Sequence, residues 1–223
     1  MLEPTHYTIS DNLLQEAAEL LPEIDARLVL NEPTGDFFHN PWKIKSEYKG
    51  TVWEEILDSI IVDKGEARLI KLIPGEAYPS HADIDDRWHL TIQGNHSYLI
   101  DLETHTMHLT EVNGRWYIMN AGCRHTAANF GSEDRIQLVV RQLLPNNILK
   151  DPIEVFITLK DVVVDRRFIF DDVISPWLNL AFKRGIVSKF NGEDLIASLT
   201  IELDCLDELE AITKDYFNLT IDP

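Results

Sequence analysis

The sequence predicts a mainly β protein whose core is a jelly roll (a double-stranded β-helix), with flanking N-terminal and C-terminal helices. Between residues 66 and 144, short apolar stretches alternate with turn signals. These signals fall at Pro74-Gly75, Gly94-Asn95, Asn113-Gly114 and Gly131-Ser132. About eight short antiparallel strands with this punctuation are typical of a jelly roll. Helical periodicity on both sides of the region predicts the flanks.

The residues before the strand region predict two helices. Within residues 10–24, a cap at Ser10 or Asp11 precedes apolar residues at helical spacing, which are Leu13, Leu14, Ala17, Leu20 and Leu21. A shorter helix is predicted over residues 53–60. Residues 31–42 contain glycine, two prolines and three aromatic residues, Phe37, Phe38 and Trp42. We expect an ordered loop there, whose rings can close over a pocket.

Local signals also predict a hairpin and further helices. Asn113-Gly114 is the preferred pair for a type I′ turn, in which both central residues need positive φ, so a hairpin is expected there. Residues 176–185 begin with proline and end with two cations and Gly185, as helices commonly do. Residues 193–217 predict one or two more helices. We therefore divide the chain into residues 1–150, a jelly-roll domain with N-terminal helices, and residues 151–223, a mostly helical flank or small subdomain.

Composition argues against several kinds of partner. The net charge is −18 and the pI is about 4.7, so the chain lacks the basic surface that nucleic acids and anionic membranes require. Cys123 and Cys205 have neither the spacing of a disulfide framework nor that of a zinc knuckle. The N-terminus lacks a leader pattern, and no stretch is apolar enough to span a bilayer. We expect a cytoplasmic protein without nucleic-acid or membrane partners.

Three residues of the strand region have the chemistry of an iron site. His81 and Asp83 are two residues apart, so in a strand both side chains point to one face. His125 follows 44 residues after His81, about the interval that a jelly roll needs to return to a neighbouring strand. Two imidazoles and a carboxylate can occupy one face of an octahedral Fe(II) and leave room for a bidentate ligand and O₂. The set predicts oxygenase chemistry.

Arg135 supplies a candidate anion clamp beside this set. It lies ten residues after His125, at the start of the apolar strand RIQLVVRQLL. A guanidinium on such a strand is costly unless it is paired, and its planar fork suits a carboxylate. Arg141 shares its face, and it either lines the same cavity or lies at the exit end of the strand.

Two stretches around these residues, LIKLIPGEAYPSHADIDDRWHLTI and HTAANFGSEDRIQLVV, resemble the aspartyl/asparaginyl β-hydroxylase family of Fe(II)/2-oxoglutarate-dependent oxygenases. That family also includes cis-proline hydroxylases. The resemblance covers about residues 66–144. It rests on Pro-Gly before H-x-D, R-x-H soon after it, H-x-x-x-N at the distal histidine and R-I-x-L-V beyond it. Where many relatives have a proline after R-x-H, this chain has HLTI.

The resemblance implies a 2-oxoglutarate-dependent dioxygenase that hydroxylates an unactivated C–H bond. Its cofactor would be Fe(II), with 2-oxoglutarate and O₂ as cosubstrates. The metal ligands would be His81, Asp83 and His125, and Arg135 would hold the distal carboxylate of 2-oxoglutarate. Arg87 and His89 would hold a carboxylate of cosubstrate or substrate. We expect a carboxylate-bearing small molecule or peptide as substrate, namely an amino acid or an Asp/Asn-type side chain.

The residues themselves leave other interpretations open. Arg87 could be a surface residue paired with Asp85 or Asp86, and His89 a buried histidine of an apolar strand. Asn129 precedes a Gly-Ser turn, so we assign it to structure. The alternative function is a cupin-type metal-binding barrel with a sensing or isomerase role. A third possibility is an iron site on an interaction module whose working surface is residues 151–223.

Overall fold

A computed structural model of the chain describes residues 2–160, 170–193 and 196–221. The chain forms two compact units. The first comprises Met1–Ser80 and Asp85–Leu143, and the second comprises His81–Ile84 and Leu144–Pro223. No helix in the described ranges is long and apolar enough to cross a membrane.

The strands of the first unit are β1 (Leu2–Thr8), β2 (Arg27–Val29), β3 (Asn31–Pro33), β4 (Trp42–Ile44), β5 (Lys64–Leu72), β6 (Arg87–Gln93), β7 (Ser97–Asp101), β8 (Thr106–Leu109), β9 (Arg115–Met119), β10 (His125–Asn129) and β11 (Arg135–Gln142). Its helices are α1 (Asp11–Glu19) and α2 (Val52–Asp58), with a 3-10 turn at Ser46–Tyr48.

Both predicted N-terminal helices are confirmed. The Ser10 side chain accepts a hydrogen bond from the Leu13 amide at the start of α1, and the Thr51 side chain caps α2 in the same manner. The first helix is shorter than predicted because Leu20 already departs from helical geometry, with φ −100° and ψ 21°. Its apolar periodicity continues beyond the point where the backbone stops being helical.

The strand connectivity is that of a jelly roll. The large sheet has the order β1-β9-β6-β11-β5-β2, and a smaller sheet has the order β10-β7-β8. Ala77 extends the smaller sheet through an isolated antiparallel bridge to Ala128 of β10. From β5 onward the chain therefore alternates between the two sheets. The strands β5, β6, β9 and β11 lie in the large sheet, and between them the chain passes through the small sheet at Ala77, at β7 and β8, and at β10. This winding of one chain between two sheets confirms the predicted fold class.

The two faces of the large sheet have different chemistry. Side chains such as Leu69, Leu90 and Leu138 pack with α1 and α2 in the main apolar core. The opposite face, which we call the inner face, contains Leu72 and Met119, which pack with Leu99 and Ala127 of the smaller sheet. Because alternate residues of a strand share a face, the inner face also carries the polar residues Glu66 and Arg68 on β5, Arg87, His89 and Thr91 on β6, and Arg135, Gln137 and Arg141 on β11.

The prediction of a hairpin at Asn113-Gly114 was wrong. β8 pairs with β7 in the small sheet, whereas β9 pairs with β1 and β6 in the large sheet. Gly114 has φ 68°, but Asn113 does not have positive φ, and its side-chain oxygen accepts the Arg115 amide at 3.0 Å. The turn thus carries the chain between sheets, which a local dipeptide signal cannot reveal.

The second unit contains an antiparallel sheet with the order β13-β14-β12-β15. Its strands are β12 (Pro152–Leu159), β13 (Val187–Glu193), β14 (Ile196–Glu202) and β15 (Phe217–Ile221). Its α-helices are α3 (Ser175–Arg184) and α4 (Leu206–Thr213), with a π-helical turn at Phe170–Ile174 and a 3-10 turn at Leu203–Cys205.

The prediction of a mostly helical segment 151–223 was wrong for its described residues. Ala197, Leu199 and Ile201 are buried at alternate positions, which is the period of a strand, and they lie in β14. The helix predicted over residues 176–185 is confirmed as α3, which has proline in its first turn and Gly185 at φ 75° as its cap. Part of the predicted flank, residues 161–169, 194–195 and 222–223, lies outside the described residues.

Candidate functional site

The three predicted metal ligands lie together. His81, Asp83 and His125 each offer one ligand atom, and these atoms lie within 4.8 Å of one another. His81 Nε2 is 3.7 Å from Asp83 Oδ2. Within the described ranges this is the one group of three or more such side chains close enough to share an ion.

The segment before His81 follows β10 and then leaves it. The Gly75 amide donates to the Asn129 carbonyl at 2.9 Å, and the Tyr78 amide donates to the Ala127 carbonyl at 2.8 Å. His81 and Asp83 do not lie in a regular strand, so the strand geometry assumed in predicting their common direction was wrong. Their side chains nevertheless converge.

His125 is the first residue of β10 and is 3% exposed. Its Nδ1 lies 2.8 Å from the carbonyl oxygen of Cys123. Since a carbonyl can only accept, Nδ1 carries the proton and donates it. This bond orients the ring and makes Nε2 the unprotonated nitrogen that can bind a metal ion.

Arg135 is a buried cation on the inner face. It is 2% exposed, and its Nη2 donates to Oε1 of Gln137. Among the described residues it has no ion-pair partner, and its Nε has no hydrogen-bond partner. Burial lowers the pKa of the guanidinium to about 10, so the group stays charged at neutral pH. A buried charge without a counterion is costly, and an anionic ligand would remove that cost.

His89 lies beside Arg135 across β6 and β11. Its Nδ1 is 3.1 Å from Oε1 of Gln137, and its Nε2 is buried without a partner in the described residues. Burial lowers the pKa of His89 to about 3, and the nearby positive charges of Arg135, His125 and Arg87 act in the same direction. The imidazole is therefore neutral. The charges of His125, Arg135 and Arg87 therefore all act on the His89 ring.

Sequence reasoning missed Gln137. It is 1% exposed, and its Nε2 donates to Thr91 Oγ1 at 3.1 Å. Its oxygen is the acceptor for both Arg135 and His89. Its position two residues after Arg135, on an otherwise apolar strand, was the available signal, because a buried amide needs partners on its own face.

Arg87 is paired with Asp85, but both are buried and not on the surface. Arg87 Nη2 lies 3.0 Å from Asp85 Oδ1, and Arg141 Nε lies 2.5 Å from Asp85 Oδ2. The Arg141 guanidinium carbon lies 4.2 Å from the ring centre of Phe37 and 4.6 Å from that of Phe38. The aromatic loop thus covers a guanidinium at the end of β11, where cation–π attraction favours the contact.

Asn129 has the structural role expected of it. It is fully buried, its side-chain nitrogen donates to the Leu72 carbonyl at 2.9 Å and to the Glu133 carbonyl at 2.8 Å, and its oxygen accepts the Gly131 amide. Both cysteines are free thiols.

Comparison with known protein families finds a similarity in one part of the chain. The model of the aspartyl/asparaginyl beta-hydroxylase family matches residues 51–145. No curated protein sequence matches the chain.

Several solved structures show low structural similarity. A Pseudomonas putida prolyl-4-hydroxylase has 13% identity and a TM-score of 0.37, over 64% of this chain and 86% of that chain. A cupin domain from Bordetella pertussis Tohama I has 14% identity and a TM-score of 0.32, over 37% of this chain and 85% of that chain. CapF in complex with 3-isopropenyl-tropolone has 11% identity and a TM-score of 0.32, over 53% of this chain and 31% of that chain. The family match is confined to residues 51–145, under half of the 223-residue chain, and over that stretch the sequence is similar to the aspartyl/asparaginyl β-hydroxylase family.

Proposed function

We propose that this protein is an Fe(II)- and 2-oxoglutarate-dependent dioxygenase that hydroxylates an unactivated C–H bond. The observation that carries the proposal is the pairing of a two-histidine, one-carboxylate group with a buried guanidinium that has no counterion among the described residues. The first part suits iron, and the second suits the far end of a dicarboxylate. The family match supports the same reaction class.

The donor set of His81, Asp83 and His125 fits Fe(II). Imidazole and carboxylate ligands suit a borderline divalent ion, and three ligands on one side leave positions for further ligands. The tautomer of His125 is already the one that presents Nε2, because Nδ1 is held by the Cys123 carbonyl. Thiolate ligands, which would favour zinc or an iron–sulfur cluster, are not part of the group.

The inner face fits 2-oxoglutarate. Arg135 would bind the C5 carboxylate through nitrogen atoms that Gln137 does not use, which removes the cost of its buried charge. His89 offers its ring to the same region. In the observed network its Nε2 is an acceptor, so contact with a carboxylate requires a protonated ring or the other tautomer.

When bound, iron with 2-oxoglutarate and O₂ supplies the oxidising chemistry, in which one oxygen atom enters the substrate C–H bond, the other enters succinate, and CO₂ is released. The chain's own residues orient and shield the reactants. His81, Asp83 and His125 would hold the iron in place. Arg135 would select a dicarboxylate of suitable length and orient it. The apolar residues Leu72, Leu99, Met119 and Ala127 keep water out between the sheets.

The proposed substrate is a carboxylate-bearing amino acid or an Asp/Asn-type side chain, as a small molecule or in a peptide. The support is the family's name and the buried Arg87 on the inner face. Nucleic acid and membrane are not proposed as partners, because the net charge of −18 would oppose binding to both.

The direct test measures succinate formation from 2-oxoglutarate by the full chain loaded with Fe(II), with and without candidate amino acids and Asp/Asn peptides. Turnover that needs both Fe(II) and O₂ is the expected result. A protein that neither binds 2-oxoglutarate nor forms succinate under any of these conditions would refute the proposal.

A further inference from the structure

We propose that Arg68 binds the free carboxylate of the substrate, which makes an acid, and not its amide, the preferred substrate form. The proposal rests on the function proposed above and adds a specificity residue to it.

Arg68 lies on the inner face in register with the candidate site. Val139 of β11 pairs with Arg68 of β5 on one side and with His89 of β6 on the other. Residues paired across neighbouring strands share a face, so Arg68 and His89 project from the same surface with only the small side chain of Val139 between them. The charge of Arg87 also acts on Arg68 and lowers its pKa, after the larger effect of burial.

The charges around Arg68 do not balance locally. Glu66 is bonded by both Arg27 and Arg68, so one carboxylate serves two guanidinium groups. Arg27 is the outer member, since 46% of its side chain is exposed, compared with 18% for Arg68 and 6% for Glu66. Water solvates much of Arg27. The buried Arg68 shares the single negative charge of Glu66 with Arg27, so its own positive charge is only partly neutralised.

One edge of the Arg68 guanidinium is not used by Glu66. Glu66 bonds Nη1, and the Nε of Arg68 is buried with no hydrogen-bond partner among the described residues. Along the edge formed by Nε and Nη2, a guanidinium can donate two parallel hydrogen bonds to one carboxylate. A buried donor without a partner is costly, and a carboxylate on this edge would satisfy it. The side chain as a whole is 18% exposed, whereas Nε itself is buried.

This assignment differs from that of Arg135. Arg135 lies four residues before Val139 on β11, whereas Arg68 is directly opposite Val139, so the two guanidinium groups start from different levels of the inner face. One can hold the cosubstrate while the other holds the substrate. Amino acids and peptides with a free α-carboxylate are the class that this second anchor would select.

The experiment compares Arg68→Gln, Arg68→Lys and Arg27→Gln with the wild type, using full-length protein loaded with Fe(II). Substrate-stimulated succinate formation is measured for matched pairs, L-proline and L-prolinamide, L-aspartate and its α-amide, and Asp- or Asn-containing tripeptides with free or amidated C-termini. Binding of 2-oxoglutarate by calorimetry and the unfolding midpoint are measured in parallel. Arg27→Gln removes a bond to the same Glu66 and so reports the structural part of any effect.

We expect the wild type to prefer at least one acid over its amide by tenfold or more in kcat/KM. In Arg68→Gln the KM of the acid should rise about ten- to a hundredfold and the amide should change little, as for loss of one charge-assisted bidentate contact. Arg68→Lys should recover part of the preference, and Arg27→Gln should change KM less than threefold. The 2-oxoglutarate Kd should stay within twofold in all three variants.

Equal losses for acid and amide in Arg68→Gln, or an equal loss in Arg27→Gln, would overturn the assignment and leave Arg68 a structural ion-pair residue. Stimulation by no acid, or no acid preference in the wild type, would also overturn it. The function proposed above fails separately, if the wild type does not bind 2-oxoglutarate.

Discussion

Arg135 and His89 share one hydrogen-bond acceptor, Oε1 of Gln137. The shared oxygen requires that His89 donate from Nδ1, which leaves Nε2 unprotonated. Burial holds the ring neutral, with a pKa of about 3. In this arrangement the positive charge of the pair belongs to Arg135 alone, so the proposed anion would bind at the guanidinium.

Replacing a proposed metal ligand should abolish tight metal binding. In His81→Ala one of three ligands is lost, and we expect Fe(II) or Co(II) affinity to fall more than about a hundredfold, beyond the 10–100-fold typical of residues that only support a ligand. Calorimetry under anaerobic conditions measures the affinity. His105→Ala, which removes an exposed histidine outside the proposed ligand group, should bind as the wild type does. Equal binding by both variants would contradict the assigned site.

Replacing Arg135 should separate cosubstrate binding from metal binding. Arg135→Ala removes the buried cation, and we expect 2-oxoglutarate to bind about 10–100-fold more weakly, as for loss of a charged hydrogen-bond pair. Metal affinity should stay within threefold, because Arg135 is not a ligand. Arg115→Ala, at an exposed arginine on β9, is the matched control. A metal-binding barrel of the cupin type would show no effect of Arg135→Ala on any ligand.

Changing the shared acceptor to a carboxylate should block the anion site from within. In Gln137→Glu the new carboxylate would pair with Arg135, so 2-oxoglutarate affinity should fall at least tenfold while the unfolding free energy is kept. Gln137→Leu should instead lower the unfolding free energy by about 1–3 kcal/mol for each donor left without an acceptor. Calorimetry and urea unfolding measure the two effects. Normal 2-oxoglutarate affinity in Gln137→Glu would show that Arg135 is not the anchor.

His89 should make the metal-free protein sensitive to acid. Its pKa is lowered from 6.5 in the unfolded chain to about 3 in the folded protein. As pH falls from 6.5 towards 3, the unfolded chain gains a proton that the folded protein does not, so stability is lost over this range at up to about 1.4 kcal/mol per pH unit. Above pH 6.5 both states are neutral and the contribution is constant.

Urea unfolding of the EDTA-treated protein at pH 7 and pH 5 tests this linkage. The loss of stability between the two values should be about 2 kcal/mol larger in the wild type than in His89→Gln, which cannot take up a proton. The carboxylates affect both proteins alike. An equal loss in the two proteins would mean that the pKa of His89 is the same in the folded protein as in the unfolded chain.

The strand region was predictable because its signals are local. Pro74-Gly75 and Gly94-Asn95 end strands, the alternation of short apolar stretches with turns marks β structure, and the cap at Ser10 begins a helix. The pairing partner of each strand was harder to predict from the sequence. Asn113-Gly114 has the composition of a hairpin turn, yet β8 and β9 belong to different sheets. Ala197 to Ile201 alternate as a strand, although the surrounding residues favour helix.

By itself the sequence determined which side chains the candidate site contains: two imidazoles and a carboxylate, with His81-x-Asp83 spacing, and a cation at the start of an apolar strand. Only the tertiary structure decided which neighbours those groups meet. Gln137 became the shared acceptor, and Arg68 came into register with His89 through Val139, because sheet register joins residues far apart in the chain. The residue type determines what a side chain can bind. Burial and sheet register determine whether neighbouring residues already satisfy its charge and hydrogen-bonding groups.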